Sequence, residues 1–600
     1  MTPSLLPAGR QSRQCPVLQT AAATLLCVWL CLLLHIPLYN VGGGEGVWLP
    51  WNILAWAVAV TVVLLTALLT PAGRLVITPV ARLLFLAVAL LTLPVMWCPQ
   101  SEWVIYSLPR LYGLWGGALF YLALLQCRFS DRTTRLLLLC VTFAALVQGL
   151  TVLAGLYYPT LLSPLSQAFL KTGGRQPLGI FQQVNVTASF LATGLALALA
   201  LFYRQSLCRA IRPAGVSASL LFRMKAAYLL ILMTFLPCVL VLTRSRIGWL
   251  GGLMVYLIAI VTAVLTARRQ RGRARGLSVW CPAAMVLFPL AGIVAGLLLM
   301  NCSVVQAIDH GGSNHQRWLT LKVTWEMIRQ HPWAGWGTGS FMMQFQHYIA
   351  TYRHPNPNRE LMGHPHNEIL YVWVEGGIVA LAGLMVAGGA AVMLLKKNGS
   401  HTHRLMAVAM LPVLLHTLVE YPLYLSVPHA LTLQLIALSL DRSGQRTGPA
   451  VPGTHVTGVS KIAGAGLRCV IVAGCIWMLG SLHGTYRVNA LLSCFEAGQL
   501  AQGRTIPAAD VPWMLRSRYE ADRLGMELEA YNRSGDLRLL RDYIRDNARW
   551  LRTHTDPDNY AVQADVLRYL HRDAESCRYE REAKLMFPGT GRFRDYNSCP

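Results

Sequence analysis

The segment Gly363-His364-Pro365-His366-Asn367-Glu368 places two imidazoles where a long polar stretch gives way to an apolar run. An unperturbed imidazole titrates near pH 6.5, so a mostly neutral ring is available at neutral pH as a general base. Two other readings stand beside that one. An interfacial His can cap a helix or anchor it among headgroups, and a pair of His can bind zinc, although neither a His-Glu-x-x-His pattern nor a Cys partner accompanies this pair. Arg244 and Arg246, in Thr243-Arg-Ser-Arg-Ile-Gly-Trp249, interrupt two apolar runs. Arginine near a membrane core costs about 3 kcal/mol unless it finds a partner or water. Its planar fork is also the side chain best shaped to hold a phosphate; snorkelling to headgroup phosphates is the alternative. Arg317, in His315-Gln-Arg-Trp318, is a third cation that can join them across a site.

Ahead of another apolar run lies Arg175-Gln-Pro-Leu-Gly-Ile-Phe-Gln-Gln-Val-Asn185. Gln182, Gln183 and Asn185 supply amide donors and acceptors suited to sugar hydroxyls, or else form a turn with an Asn near a helix cap. Glu420, in Leu418-Val-Glu-Tyr-Pro-Leu-Tyr424, is an acid inside an apolar run and so a functional candidate by default; pairing with one of the arginines is its structural alternative.

The elements that must position these groups are membrane helices. The 600 residues are 54% hydrophobic and 13% charged with a mean hydropathy of +0.44, which points to lipid as the solvent. About thirteen apolar stretches approach the ~20-residue spanning length, near residues 17 to 36, 52 to 70, 81 to 97, 110 to 126, 134 to 158, 186 to 203, 226 to 243, 247 to 267, 279 to 300, 368 to 395, 405 to 420, 424 to 440 and 462 to 482. Of these, the pair flanking Glu420 and Pro422 can equally be one broken or re-entrant segment. Val17 to Ile36 is longer than a signal-peptide core and reads as a retained first helix.

The net charge of +25 is confined to the membrane part: up to residue 483 there are 34 Lys and Arg against 10 Asp and Glu, and beyond it 18 against 17. Basic residues sit in short loops between apolar runs, without the aromatic interleaving that nucleic-acid binding requires. Alternate loops collect 23 of these cations on one side and 10 on the other, so the N-terminus is expected inside and the tail outside. Fifteen Cys without a Cys-x-x-Cys pair suggest neither a zinc site nor a dense disulfide framework, although Cys577 and Cys599 can pair if the tail is periplasmic. Two outside regions are large: residues 301–367, holding seven of the sixteen His, and the tail 484–600. The tail alternates charge and apolar residues at helical spacing and breaks near Asn532–Gly535 and Thr555–Asn559, which predicts a small helical soluble domain appended to a membrane domain of residues 1–483.

The pieces Arg175 to Thr193, TRSRIGW (243–249), PWAGWGTGSF (332–341), HPHNEILYVWVEGG (364–377) and HTLVEYPLY (416–424) resemble bacterial PglL-type protein O-oligosaccharyltransferases. Those enzymes fall in the superfamily of the O-antigen ligase WaaL and the Wzy polymerases. The likeness runs from about residue 170 to the end; the first 150 residues resemble the family in hydropathy only. It implies an all-α, GT-C-like polytopic bundle and transfer of a preassembled glycan from undecaprenyl pyrophosphate to a Ser or Thr hydroxyl of a periplasmic protein or pilin, in the bacterial inner membrane. It also implies His366 as the essential residue, with Arg246, and less directly Arg317 and the adjacent Arg244, on the pyrophosphate. On the same basis Arg175, Gln182, Gln183, Asn185, His364, Asn367, Glu420 and Tyr421 are candidates for contacting glycan or acceptor. No cofactor, metal or nucleic acid is expected; the sole Asp-x-Asp, Asp556-Pro-Asp558, reads as a turn or helix cap. The rival readings are ligation to lipid A core, O-antigen polymerisation and, from another class, a lipid-linked glycan flippase. A flippase should show internal repeats, and none is visible.

Overall fold

The computed structural model describes residues 16–38, 40, 44–70, 75–165, 176–210, 219–269, 280–301, 311–352, 354, 362–442, 455–456, 461–503, 506–590 and 593. The membrane part is built from α1 (Pro16–Cys31), α2 (Pro50–Leu69), α3 (Pro79–Thr92), α4 (Ser101–Cys127), α5 (Asp131–Tyr157), α6 (Val184–Ala210), α7 (Leu220–Leu242), α8 (Arg246–Arg269) and α9 (Trp280–Asn301). There follow α10 (Gly311–Gln330), α11 (Phe341–Tyr352), α12 (Glu368–Lys396), α13 (His401–Val408), α14 (Leu411–His416), α15 (Val427–Arg442) and α16 (Lys461–Glu496). Local sequence sets many of the starts. Thr78, Ser130, Ser219, Asn367 and Ser400 each accept a backbone N–H of the helix they open, and Pro stands at the first position of α2 and α3 and the second of α14, where a missing donor costs nothing.

Among the described residues eleven helices are long and apolar enough to cross a membrane, so the protein is a polytopic all-α bundle. Thirteen spans were expected, and the difference falls on the pair around Glu420. The first of them is a broken ascent through α13 and α14, followed by a four-residue turn at Pro422–Leu425, and the second is the 16-residue α15. Pro412, Pro422 and Pro428 each lack the N–H that would carry the preceding piece onward, which keeps every piece short. The last span also outruns its apolar run: α16 continues to Glu496.

α6 lies at the centre, its membrane-crossing stretch wholly enclosed, packed by α5, α7, α8 and α14. Small residues make that approach possible; a Cβ on Gly194 would stand 2.4 Å from the Ala145 Cβ. At the face where α1, α5 and α7 end and α2, α6, α8 and α12 begin, the connecting segments converge, and most candidate residues lie there. On the opposite face Asp441, fully buried, is held by Lys397 at 2.5 Å, Thr78 at 2.6 Å and Tyr121 at 3.0 Å.

Two of the motifs interlock. α12 is kinked at Gly377, whose φ of 63° and ψ of −159° leave the helix. The kink frees backbone groups, and the 332–337 loop takes them up: Trp336 N–H donates to Val374 O, Gly337 N–H to Glu375 O, and Ile378 N–H to Trp333 O. The approach is so close that a Cβ on Gly377 would stand 2.0 Å from the Trp333 carbonyl, which is why glycine is required on both counts.

The tail consists of α17 (Arg516–Ser534), α18 (Leu537–Trp550), α19 (Pro557–Tyr569) and α20 (Asp573–Met586) around a core that includes Tyr543, Tyr560 and Phe587. Gly535, at φ 69°, closes α17, and Asp556 opens α19 by accepting the N–H groups of Asp558 and Asn559. The Asp-x-Asp is thus a helix cap. The tail rests on the membrane part through Tyr106, whose hydroxyl donates to Glu520 at 2.6 Å and whose ring meets His554 edge-on. A second contact is the pair His347 and Glu582, 3.5 Å apart.

Candidate active site

Glu420 is the hub. It is 4% exposed, and its two oxygens accept four donors: Arg317 at 2.6 Å and Asn185 at 2.7 Å on Oε1, Gln183 and His416 at 2.9 Å on Oε2. A buried carboxylate is tolerable only when its acceptor sites are filled in this way. The amides of Gln183 and Asn185 are therefore engaged with Glu420, and Glu420 takes the arginine-paired arrangement. Arg317 retains further N–H groups, with its side chain 37% exposed. From Asn185 the chain of bonds continues to Ser245, whose hydroxyl donates to Asn185 Oδ1 at 2.7 Å. Ser245 lies between Arg244 and Arg246, so all three cations stand on one connected framework. Arg246 is exposed, whereas Arg244 is partly buried and its Nε is enclosed without a hydrogen bond.

His366 stands over this hub at φ 58°, in the left-handed region that a β-substituted residue enters at a cost of about 1 to 3 kcal/mol. Five non-glycine residues among those described have positive φ, and three of them are His366, Gln182 and Arg244. Strain of this kind clusters where surrounding structure over-determines a functional position. Two bonds hold the turn. The His366 N–H donates to Nδ1 of His364 at 2.9 Å, and Asn367 caps α12 through Leu370 N–H while donating its amide to Leu418 O. Asn367 thus ties the His turn to the segment that carries Glu420. Burial first, and the Arg317 guanidinium next, push the His366 imidazole down to about 4. Its ring is neutral at pH 7.

His364 is 6% exposed and packs among Tyr371, Tyr421 and Tyr424, with ring centroids 4.4, 4.6 and 5.8 Å away. Because its Nδ1 accepts a backbone N–H, the neutral ring carries its proton on Nε2. That Nε2 is buried without a hydrogen bond, 3.5 Å from Glu368 Oε2. Tyr424 donates to the other Glu368 oxygen at 2.8 Å. Tyr421 lies between the two imidazoles, 5.7 Å from His366. Gln182 stands further out and exchanges hydrogen bonds with Asn40. Arg175 lies outside the described residues.

Several members were not singled out in the sequence. Arg110 pairs with Glu375 at 2.6 Å and lies 4.9 Å over the Tyr371 ring, while Glu375 also accepts the Phe341 N–H. Both are charges within or beside apolar runs, the signal that nominated Glu420, and the same test applied to them would have found the pair. His416, fully buried, links Glu420 to Ser189 on α6. Glu45, in the loop before α2, is exposed at the edge of the site, and crowding by the surrounding protein raises its carboxyl, opposed by the nearby His364 and Arg110. No sequence pattern marked it.

Chemically, the arrangement offers a neutral imidazole, a lone N–H donor in His364 and a bank of guanidinium groups on one framework. A family model described as O-antigen ligase matches residues 228–385, which contain both arginines of the Ser-Arg pair, Arg317 and the His turn. A second, described as the C-terminal part of a virulence factor membrane-bound polymerase, matches residues 405–595, and a third, described as protein glycosylation ligase, matches residues 177–202. The matches support the O-antigen ligase superfamily. They support glycan transfer by an O-antigen ligase-like enzyme, of glycosyltransferase type, multi-pass in a membrane. Superfamily members use a lipid-linked glycan donor and a protein or lipid acceptor. No curated protein matches the chain.

Proposed function

We propose that this superfamily member transfers a preassembled glycan from undecaprenyl pyrophosphate to a Ser or Thr hydroxyl of a periplasmic protein or pilin, with inversion at the anomeric carbon. His366 takes the hydroxyl proton as the oxygen attacks; the bond from the anomeric carbon to the phosphate oxygen breaks, and the pyrophosphate leaves with the electron pair. Arg317, Arg246 and Arg244 hold that developing charge. His364, through Nε2–H, steadies an oxygen of the acceptor or the sugar. The observation that carries the reading is His366, kept neutral and strained in a turn beside the Arg317–Glu420 pair.

The proposed setting is the bacterial inner membrane, with the N-terminus cytoplasmic and the site and tail periplasmic. The positive-inside bias supports that orientation, and so does Cys577, which is disulfide-bonded, as an oxidising compartment permits. The protein glycosylation ligase match over 177–202 favours a protein acceptor. The longer O-antigen ligase match keeps transfer to lipid A core as the second reading. Reconstitution with a lipid-linked oligosaccharide and a panel of pilin, peptide and lipid A core acceptors separates them. Mass gain on a hydroxyl of the polypeptide is expected; modification of lipid A core alone overturns the protein-acceptor reading.

A further inference from the structure

Beside His364 and Arg110 stands a further carboxylate, Glu45. There the loop before α2 is stitched to the turn that carries Tyr421 and Tyr424. The Asn52 amide, 2% exposed, donates to Gly46 O at 2.7 Å and to Leu425 O at 3.0 Å, while its oxygen accepts the Val427 N–H at 2.9 Å. Glu45, next to Gly46, is extended at φ −133° and ψ 167°. Glu45 is exposed as a residue, and no hydrogen bond to its carboxylate is seen among the described residues. Arg110 is nearby, but its charge is already matched by Glu375.

The tail fixes the other side of this loop. Trp48 O accepts the Asn489 amide of α16 at 3.1 Å, and the Trp48 ring lies 5.6 Å from the Arg518 guanidinium. Arg518, on α17 and 4% exposed, binds Glu496 at 2.5 Å, Ser493 at 3.1 Å and Asn489. A packed cluster of Val47, Ile53, Leu482, Leu492, Met514 and Leu515 joins loop, last span and tail. Such a carboxylate, held at the margin by a whole domain near His364 and Arg110 and with no hydrogen bond of its own among the described residues, is placed to meet something that arrives. The donor's pyrophosphate is repelled by it and belongs with the arginines. What remains is the acceptor.

We propose that Glu45 is the specificity-determining carboxylate of the acceptor flank: it admits a hydroxyl flanked by neutral or basic peptide and disfavours one flanked by anionic groups. This rests on the protein-acceptor reading above and adds the charge class of that acceptor. Like charges placed face to face discriminate strongly between partners, so a Lys-flanked Ser peptide should exceed its Asp-flanked counterpart in kcat/KM by about tenfold.

The test uses the full-length enzyme in liposomes with lipid-linked oligosaccharide and the two peptides. In Glu45→Gln the preference should collapse to within about threefold, and Glu45→Asp should keep it. A preference unchanged in Glu45→Gln, or absent from the wild type, overturns the assignment and leaves the protein-acceptor reading intact. A wild-type enzyme that consumes the donor yet modifies neither peptide overturns that reading itself. Should Glu45→Gln fail to fold, the wild-type ratio at 0.05 and 0.5 M salt decides: an exposed charge is screened, so the preference should narrow, and a constant ratio contradicts the assignment.

Discussion

Arg317 Nη2 lies 2.6 Å from Oε1 of Glu420, and the same oxygen accepts the Asn185 amide at 2.7 Å. One carboxylate therefore aims a guanidinium from α10 and fixes the start of the central helix. Glu420→Gln keeps the shape but removes the charge, leaving Arg317 unpaired beside His366. Loss of one partner from such a pair costs about 2 kcal/mol or more. The variant should lower both the melting temperature in detergent and the transfer rate, the rate by about 100-fold. A transfer assay on purified protein with matched thermal melts checks it.

The His366 ring gives a signed pH dependence. In the proposed mechanism transfer needs its neutral form, so with a pKa near 4 the rate should stay level from pH 8 to about 5 and fall as pH drops through 4. An unperturbed His would instead produce a fall near 6.5. Arg317 contributes to the depression, so Arg317→Gln should move the acidic limb upward. For stability the sign is the same: between 6.5 and 4 the unfolded chain binds a proton that the folded one refuses, so stability rises with pH across that window. pH–rate profiles of the two proteins test both statements.

Much of this was legible in the sequence, and the line between what was and was not is physical. Eleven spans follow from hydropathy because a lipid-facing helix must be apolar along its length. The stretch around Glu420 passes the same test as two apolar runs, but prolines divide it into short helices that hydropathy alone does not register. The His turn and the arginines stood out by residue type. Their partners did not: Asn185, 235 residues from Glu420 in sequence, was marked as a sugar contact because its amide was visible and its bond was not. His416 and Glu45 acquire meaning only from neighbours far along the chain.

Gly377 should tolerate nothing larger. Gly377→Ala sets a methyl 2.0 Å from the Trp333 carbonyl at a positive φ, which strains the kink and expels the 332–337 loop. Folded yield should drop sharply, by the equivalent of about 3 kcal/mol or more. Gly388→Ala and Gly389→Ala, in the same helix with open space around them, should be neutral. Thermal melts in detergent distinguish the three.

In the tail, burial and the neighbouring Glu496 raise Asp522 to about 7, and its Oδ2 is enclosed without a hydrogen bond. A raised folded pKa means the stability it allows is present at low pH and lost as pH climbs through 7, because the unfolded side chain releases its proton near 3.8. Asp522→Asn should therefore stabilise the protein at pH 8 by about 1 kcal/mol or more and flatten the decline between pH 4 and 7. Thermal melts across that range give the answer.

The most direct measurement is glycan transfer by His366→Ala, purified and reconstituted beside the wild type with lipid-linked oligosaccharide and a peptide acceptor at pH 7. General-base assistance is worth about 10²- to 10⁴-fold, so transfer should fall at least 100-fold while protein level and melting temperature hold. A variant that keeps more than half the wild-type rate would remove His366 from the chemistry and with it the mechanism built upon it.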